Sequence, residues 1–86
     1  MDKRRNLTPR ERECLILTSC GLNEREIGKV LNISMNTVRV HMRNLKKSLG
    51  ATNKANAVVI SLLANELKLE DVVLSPHFNK RDVIWS

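Results

Sequence analysis

The chain has 86 residues, a net charge of +6 at neutral pH, 42% hydrophobic residues and 2% aromatic ones, with a sequence pI near 9.9. Its length suits one small domain with limited buried surface, and with only Phe78 and Trp85 as rings the core is aliphatic, which excludes modules that stack bases on aromatic platforms. The longest apolar-rich run, "AVVISLLA" at 57–64, falls far short of the roughly 20 residues a membrane helix requires.

"LTPRE" opens the first helix. Thr8 is its N-cap, Pro9 its first residue and Glu11 its third, a capping box with proline where the missing N–H does no harm. Leu7 is placed to staple the entry, Cys14, Leu15 and Thr18 follow at core spacing, and Gly21 ends the helix in a left-handed conformation. "NEREIGKVL" begins a second helix, capped by Asn23 with Glu26 three residues on; Ile27, Val30 and Leu31 form its apolar stripe. "NIS" ends it, and Ser34 caps a third helix that runs to about Leu49 before Gly50. Thr52 or Asn53 caps a fourth, through about Leu67. No stretch alternates as a strand does. Ser75-Pro76 breaks the last segment. Val72, Leu74, Phe78, Ile84 and Trp85 are too apolar for a purely solvating tail, and either pack as an extension or lie disordered.

The charge is unevenly spread. Residues 1–54 hold 12 Lys and Arg against 5 Asp and Glu, whereas residues 55–86 hold 3 against 4. One surface thus suits a polyanion and another a different task. Cys14 and Cys20, six residues apart, fall on different helix faces and lack metal-ligand spacing. They read as reduced core thiols of a soluble cytoplasmic protein. The sequence shows no Ser-His-Asp set, no glycine-rich phosphate loop and no His/Cys/Asp/Glu cluster, so neither an enzyme nor a cofactor is expected.

The third helix carries the functional signal. At roughly 100° per residue, Val38, Met42, Leu45 and Leu49 share one narrow sector, the core face. Asn36, Arg39, Val40, Arg43, Lys46 and Lys47 lie opposite. A solvated face usually mixes Glu with Lys, but this helix has no acid after Ser34. Its like charges repel one another, which favours an anionic partner. A short helix, a tight turn and a longer basic helix form a helix-turn-helix, whose second helix enters the major groove of double-stranded DNA. Arg39 and Arg43 suit guanine, Val40 suits a thymine methyl, and Asn36 and Thr37 suit phosphate or base contact. The competing reading is a bundle with the same geometry that binds nothing. The expected architecture is all-α: a compact four-helix (tetrahelical) helix-turn-helix domain over 7–67, a basic N-terminal arm over 1–6 and a C-terminal extension over 68–86.

"LTPRERECLILTSCGLNEREIGKVLNISMNTVRVHMRNLKKSLGATNKANAV" resembles the LuxR/FixJ-type (GerE-like) DNA-binding domain of bacterial transcription regulators, from Leu7 to about Leu63. The motifs "LTPRERE", "GLNEREI", "TVR-H" and "LGATNK-NAV" occur in order. The resemblance implies base reading by the residues at Arg39, Val40 and Arg43, and phosphate contacts by Thr37, Lys47 and Arg25; Asn36 and Lys46 join the phosphate set from their place on the basic face. It also implies that Glu11 is a structural acid, buried or capping, for the region of the second and third helices, and that His41 packs and orients. This sequence departs from the pattern at Gly28, where the family usually has Ala, at Ala51, where a larger aliphatic is usual, and at Lys54, where Arg is usual. Only six residues precede Leu7, where most members carry a receiver or ligand-sensing domain.

The fourth helix is apolar on more than one face, through Ala57, Val58, Val59, Ile60, Leu62 and Leu63. Such a helix is buried on two sides. The resemblance implies a homodimer through this helix, here by Val59, Ile60 and Leu63, with half-sites about one DNA turn apart. Alternatively the C-terminal extension covers that face within the monomer. The expected function is a sequence-specific transcription regulator, with a related regulator or RNA polymerase as further possible partners and no membrane. The alternative is a stand-alone interaction module that heterodimerises with related regulators as an antagonist or co-regulator.

Overall fold

The structure, a computed structural model, describes residues 6–79. Within them lie five helices: α1 (Pro9–Ser19), α2 (Glu24–Leu31), α3 (Met35–Leu49), α4 (Lys54–Leu63) and α5 (Leu69–Val73). Among the described residues there is no strand, and no helix is long and apolar enough to cross a membrane.

Local chemistry starts the first four helices as expected. Thr8 and Glu11 form the reciprocal capping box of α1, and Asn23 and Glu26 that of α2. Ser34 accepts from the Thr37 amide, and Asn53 from the Asn56 amide. Glu11 is buried, with its Oε1 3.2 Å from the Thr8 amide nitrogen. It is both buried and capping, and the cap it makes is that of its own helix.

One device ends the same four helices. A left-handed residue lets the next amide donate back five residues, satisfying a carbonyl the helix leaves open. Leu22 donates to Leu17 across Gly21 (3.1 Å), Ile33 to Gly28 across Asn32 (2.9 Å), Ala51 to Lys46 across Gly50 (2.8 Å) and Glu66 to Ser61 across Asn65 (2.8 Å). The last of these corrects the expected end of the fourth helix near Leu67. Asn65, at φ 61°, supplies the stop that no glycine announces, so α4 ends at Leu63. The turned-back chain then buries Leu67 to 2% exposure. Arg12 fastens that turn: its guanidinium donates to the Glu66 carbonyl and stands 3.1 Å from Glu66 Oε1.

The core centres on α3, which packs against α1, α2 and α4. Val38, Met42, Leu45 and Leu49 are all buried, as the wheel requires. Cys14, Leu15 and Leu17 meet them from α1, Ile27 from α2 and Ala57 from α4. The C-terminal extension is ordered as far as it is described. α5 lies on α1, Val72 enters the core, and Phe78 packs against it. Ile84, Trp85 and the arm residues before Asn6 lie outside the described residues.

Candidate nucleic-acid interface

The α2–turn–α3 unit is held close by Gly28. A β-carbon there would stand 2.8 Å from the Ile33 carbonyl oxygen, a backbone atom with little freedom to move. Glycine therefore lets the turn fold directly onto α2, with Asn32 left-handed at φ 59°. This close turn fixes where α3 begins. Ser34 Oγ then binds both the amide of Thr37 (3.0 Å) and its hydroxyl (2.8 Å), so the first turn of α3 is pinned.

From that start the outward residues fall on one surface. Asn36, Arg39, Arg43 and Lys47 are exposed, while Thr37, Val40 and Lys46 are half-buried. Val40 thus offers a methyl surface among cations. His41 is half-buried at the flank of the core face. Arg25 is exposed on α2, and Lys29 follows one turn later. Both line a cleft of about 420 Å³ with Gly28, Asn32, Ile33 and Met35, beside the start of α3. Lys29 was not singled out by the sequence reading, although its i,i+4 spacing from Arg25 was a usable signal.

The view of α3 as a face without acids needs correction. Glu24 of α2 places Oε1 3.0 Å from Arg39 Nε. The counter-charge comes from the neighbouring helix, where a scan of α3 alone does not find it. Lys46 and Lys47 occupy the last turn of α3 and complement the partial negative charge of its C-terminal carbonyls. The repulsion along the helix is accordingly milder than the linear sequence suggested. Arg43, Lys46, Lys47, Arg25 and Lys29 have no ion pair among the described residues. They remain available to an outside anion.

Away from α3, α4 divides its apolar residues. Ala57 is buried and Ile60 packs against the core. Val59 is 52% exposed and Leu63 82% exposed, one turn apart. The described part of the extension lies on another side of α4, where Val58 and Leu62 share an apolar groove of about 500 Å³ with Val72 and Phe78. It leaves Val59 and Leu63 open. Ile60 was expected beside them at a pairing surface, but it faces mainly inward.

A short capped helix, a close turn and a longer helix with a cationic outer face define a DNA-binding domain of the helix-turn-helix class. The profile of the GerE family, the bacterial regulatory proteins of the luxR family, matches residues 5–61. The chain belongs to this LuxR family of transcription regulators. It is similar to the transcriptional activator protein SolR of Ralstonia solanacearum, at 51% identity over 53 residues, covering 62% of this chain and 22% of SolR. It is also similar to the nitrate/nitrite response regulator protein NarP of Escherichia coli, at 41% identity over 56 residues, covering 65% of this chain and 26% of NarP. A third relative is the probable transcriptional regulatory protein SgaR of Hyphomicrobium methylovorum, at 39% identity over 64 residues, covering 74% of this chain and 30% of SgaR. The aligned part of this chain thus spans about a quarter of the length of these relatives.

Proposed function

We propose that the chain binds double-stranded DNA sequence-specifically, with α3 in the major groove, and regulates transcription as a homodimer. The observation that carries this is the outer face of α3, where Arg39 and Val40 stand one turn before Arg43, beside the close α2–α3 turn. Arg39 and Arg43 donate to guanine O6 and N7, and Val40 meets a thymine methyl. Arg25, Asn36, Thr37, Lys46 and Lys47 contact phosphates, with Lys29 added beside Arg25. These cations supply salt-dependent affinity and fix the register, while the three base readers supply discrimination.

Val59 and Leu63 form the centre of the pairing surface, with Ile60 at its inner edge. Their exposure in a small domain supports that role, because an apolar pair left open there gains by burial against a copy of itself. Pairing brings two α3 helices to half-sites about one DNA turn apart. Selection of bound duplexes from a random pool tests the reading. Enrichment of a motif with two symmetric half-sites is the expected result. Equal recovery of all sequences contradicts it.

A further inference from the structure

We propose that Glu24, at the start of α2, is a specificity-determining positioning residue: it holds Arg39 so that the outer edge of the guanidinium meets one guanine. The inference rests on the DNA-reading function proposed above. Its basis is the 3.0 Å bond from Arg39 Nε to Glu24 Oε1, a contact between residues 15 apart that links the two helices of the helix-turn-helix. Met35, one turn before Arg39, brackets the same group, with Sδ 3.8 Å from Nη2.

The contact selects among the donors of the arginine. A guanidinium can present a side edge, Nε with one terminal nitrogen, or an end edge made of both terminal nitrogens. Glu24 occupies Nε. Met35 takes one Nη2 hydrogen, and the Nη1 hydrogens with the second Nη2 hydrogen remain for the paired acceptors O6 and N7 of guanine. Untethered, a long arginine on a cationic face samples many rotamers and reaches phosphates as readily as bases. The tether restricts that search before DNA arrives. A carboxylate at this place otherwise hinders function, since it sets a negative charge beside the phosphate backbone. As a fold-stabilising pair it has little value, because side-chain exposures of 52% for Arg39 and 29% for Glu24 leave it in contact with water. The start of α2 tolerates the anion, since the positive end of the helix dipole lies there.

Orientation and charge are separable by experiment. Wild type, Glu24→Ala, Glu24→Gln and Arg39→Ala are titrated against the selected site, single-base variants of it, and scrambled DNA, with thermal melts as a folding control. Arg39→Ala identifies the base pair that Arg39 reads. At that pair Glu24→Ala loses roughly tenfold in discrimination, other pairs are unaffected, and the melting temperature changes little. Glu24→Gln keeps an acceptor for Nε and restores most of the preference. Both variants bind scrambled DNA as well as wild type or better, because each removes a negative charge. In the Arg39→Ala background, Glu24→Ala has no further effect on preference. Unchanged discrimination in Glu24→Ala overturns the proposal, and so does equal loss in the Ala and Gln variants, which assigns the effect to charge alone. An Arg39→Ala protein that keeps every base preference also overturns it, while leaving the broader DNA-reading function intact. A wild type with no preference for the selected site removes that function and this inference with it.

Discussion

The α-carbon of Gly28 faces the carbonyl oxygen of Ile33 so closely that a β-carbon on it would stand 2.8 Å away. Two effects oppose each other at this site. Alanine is favoured over glycine in a helix by about 1 kcal/mol, but here the added carbon meets backbone, so the turn or α3 must shift. Overpacking of that kind costs about 1–3 kcal/mol, so Gly28→Ala is expected to lower the urea midpoint with an unchanged m-value. Sequence discrimination falls as well, because this turn sets the approach of α3. A raised midpoint contradicts the expectation.

Arg12 and Glu66 hold the chain reversal after α4. Arg12 meets both the backbone carbonyl and the carboxylate of Glu66, and the carboxylate also lies 3.4 Å from the Leu7 amide nitrogen. Loss of these charge-assisted bonds in Arg12→Ala is expected to cost about 1–3 kcal/mol. Hydrogen exchange locates the effect: the amides of Glu66 and Leu67, bonded to Ser61 in the wild type, lose protection before those of α3. Uniform loss across the domain shows instead that the turn does not open separately.

Lys47 is exposed in the last turn of α3 with no ion pair among the described residues. In the proposed role of a phosphate contact, it would contribute affinity without sequence information. Lys47→Ala should weaken selected and scrambled DNA alike, and should reduce the slope of log affinity against log salt by about 0.9. A loss confined to the selected site makes Lys47 a base reader.

Leu63 is 82% exposed, so a change there has little to disturb within the protomer. Leu63→Glu is expected to leave stability within about 0.5 kcal/mol of wild type. Measured by light scattering on a two-half-site duplex, it should convert a complex of two protomers to one. Retention of two protomers removes Val59 and Leu63 from the pairing surface.

Cys14 is wholly buried, and burial pushes its thiol up from an ordinary 9.0 to about 11. The folded state therefore keeps its proton where the unfolded chain has lost it. This contribution to stability is complete below about pH 9 and is lost as pH rises toward about 11. In the folded protein at pH 8, a thiol reagent should modify the half-buried Cys20 well before Cys14. Equal rates show that α1 opens readily.

Helix starts were legible because their causes are local. Thr8, Asn23, Ser34 and Asn53 each sit within three residues of the amide they cap. Ends at Gly21 and Gly50 were legible for the same reason, since glycine marks the left-handed position. Asn65 does the same task with a residue that usually sits elsewhere, so the fourth helix read too long. The basic face of α3 and its apolar reverse followed from helical periodicity alone. The two cross-chain pairs did not. Arg12–Glu66 and Arg39–Glu24 join residues 54 and 15 apart, and only the folded arrangement puts those charges together. The second of these pairs changes the site most, because it turns one free cation of the outer face into a restrained one.

The proposed reading of DNA by α3 is tested most directly on Arg43, which is exposed, without an ion pair among the described residues, and assigned here to base reading. Competition titrations at fixed salt compare wild type and Arg43→Ala on the selected site, on each single-base variant and on scrambled DNA. Wild type should prefer the selected site, and Arg43→Ala should lose about 1–3 kcal/mol of discrimination at one base pair while keeping its preferences elsewhere. Equal affinity of the wild type for selected and scrambled DNA, or an Arg43→Ala protein with every preference intact, contradicts the assignment of α3 as the reading helix.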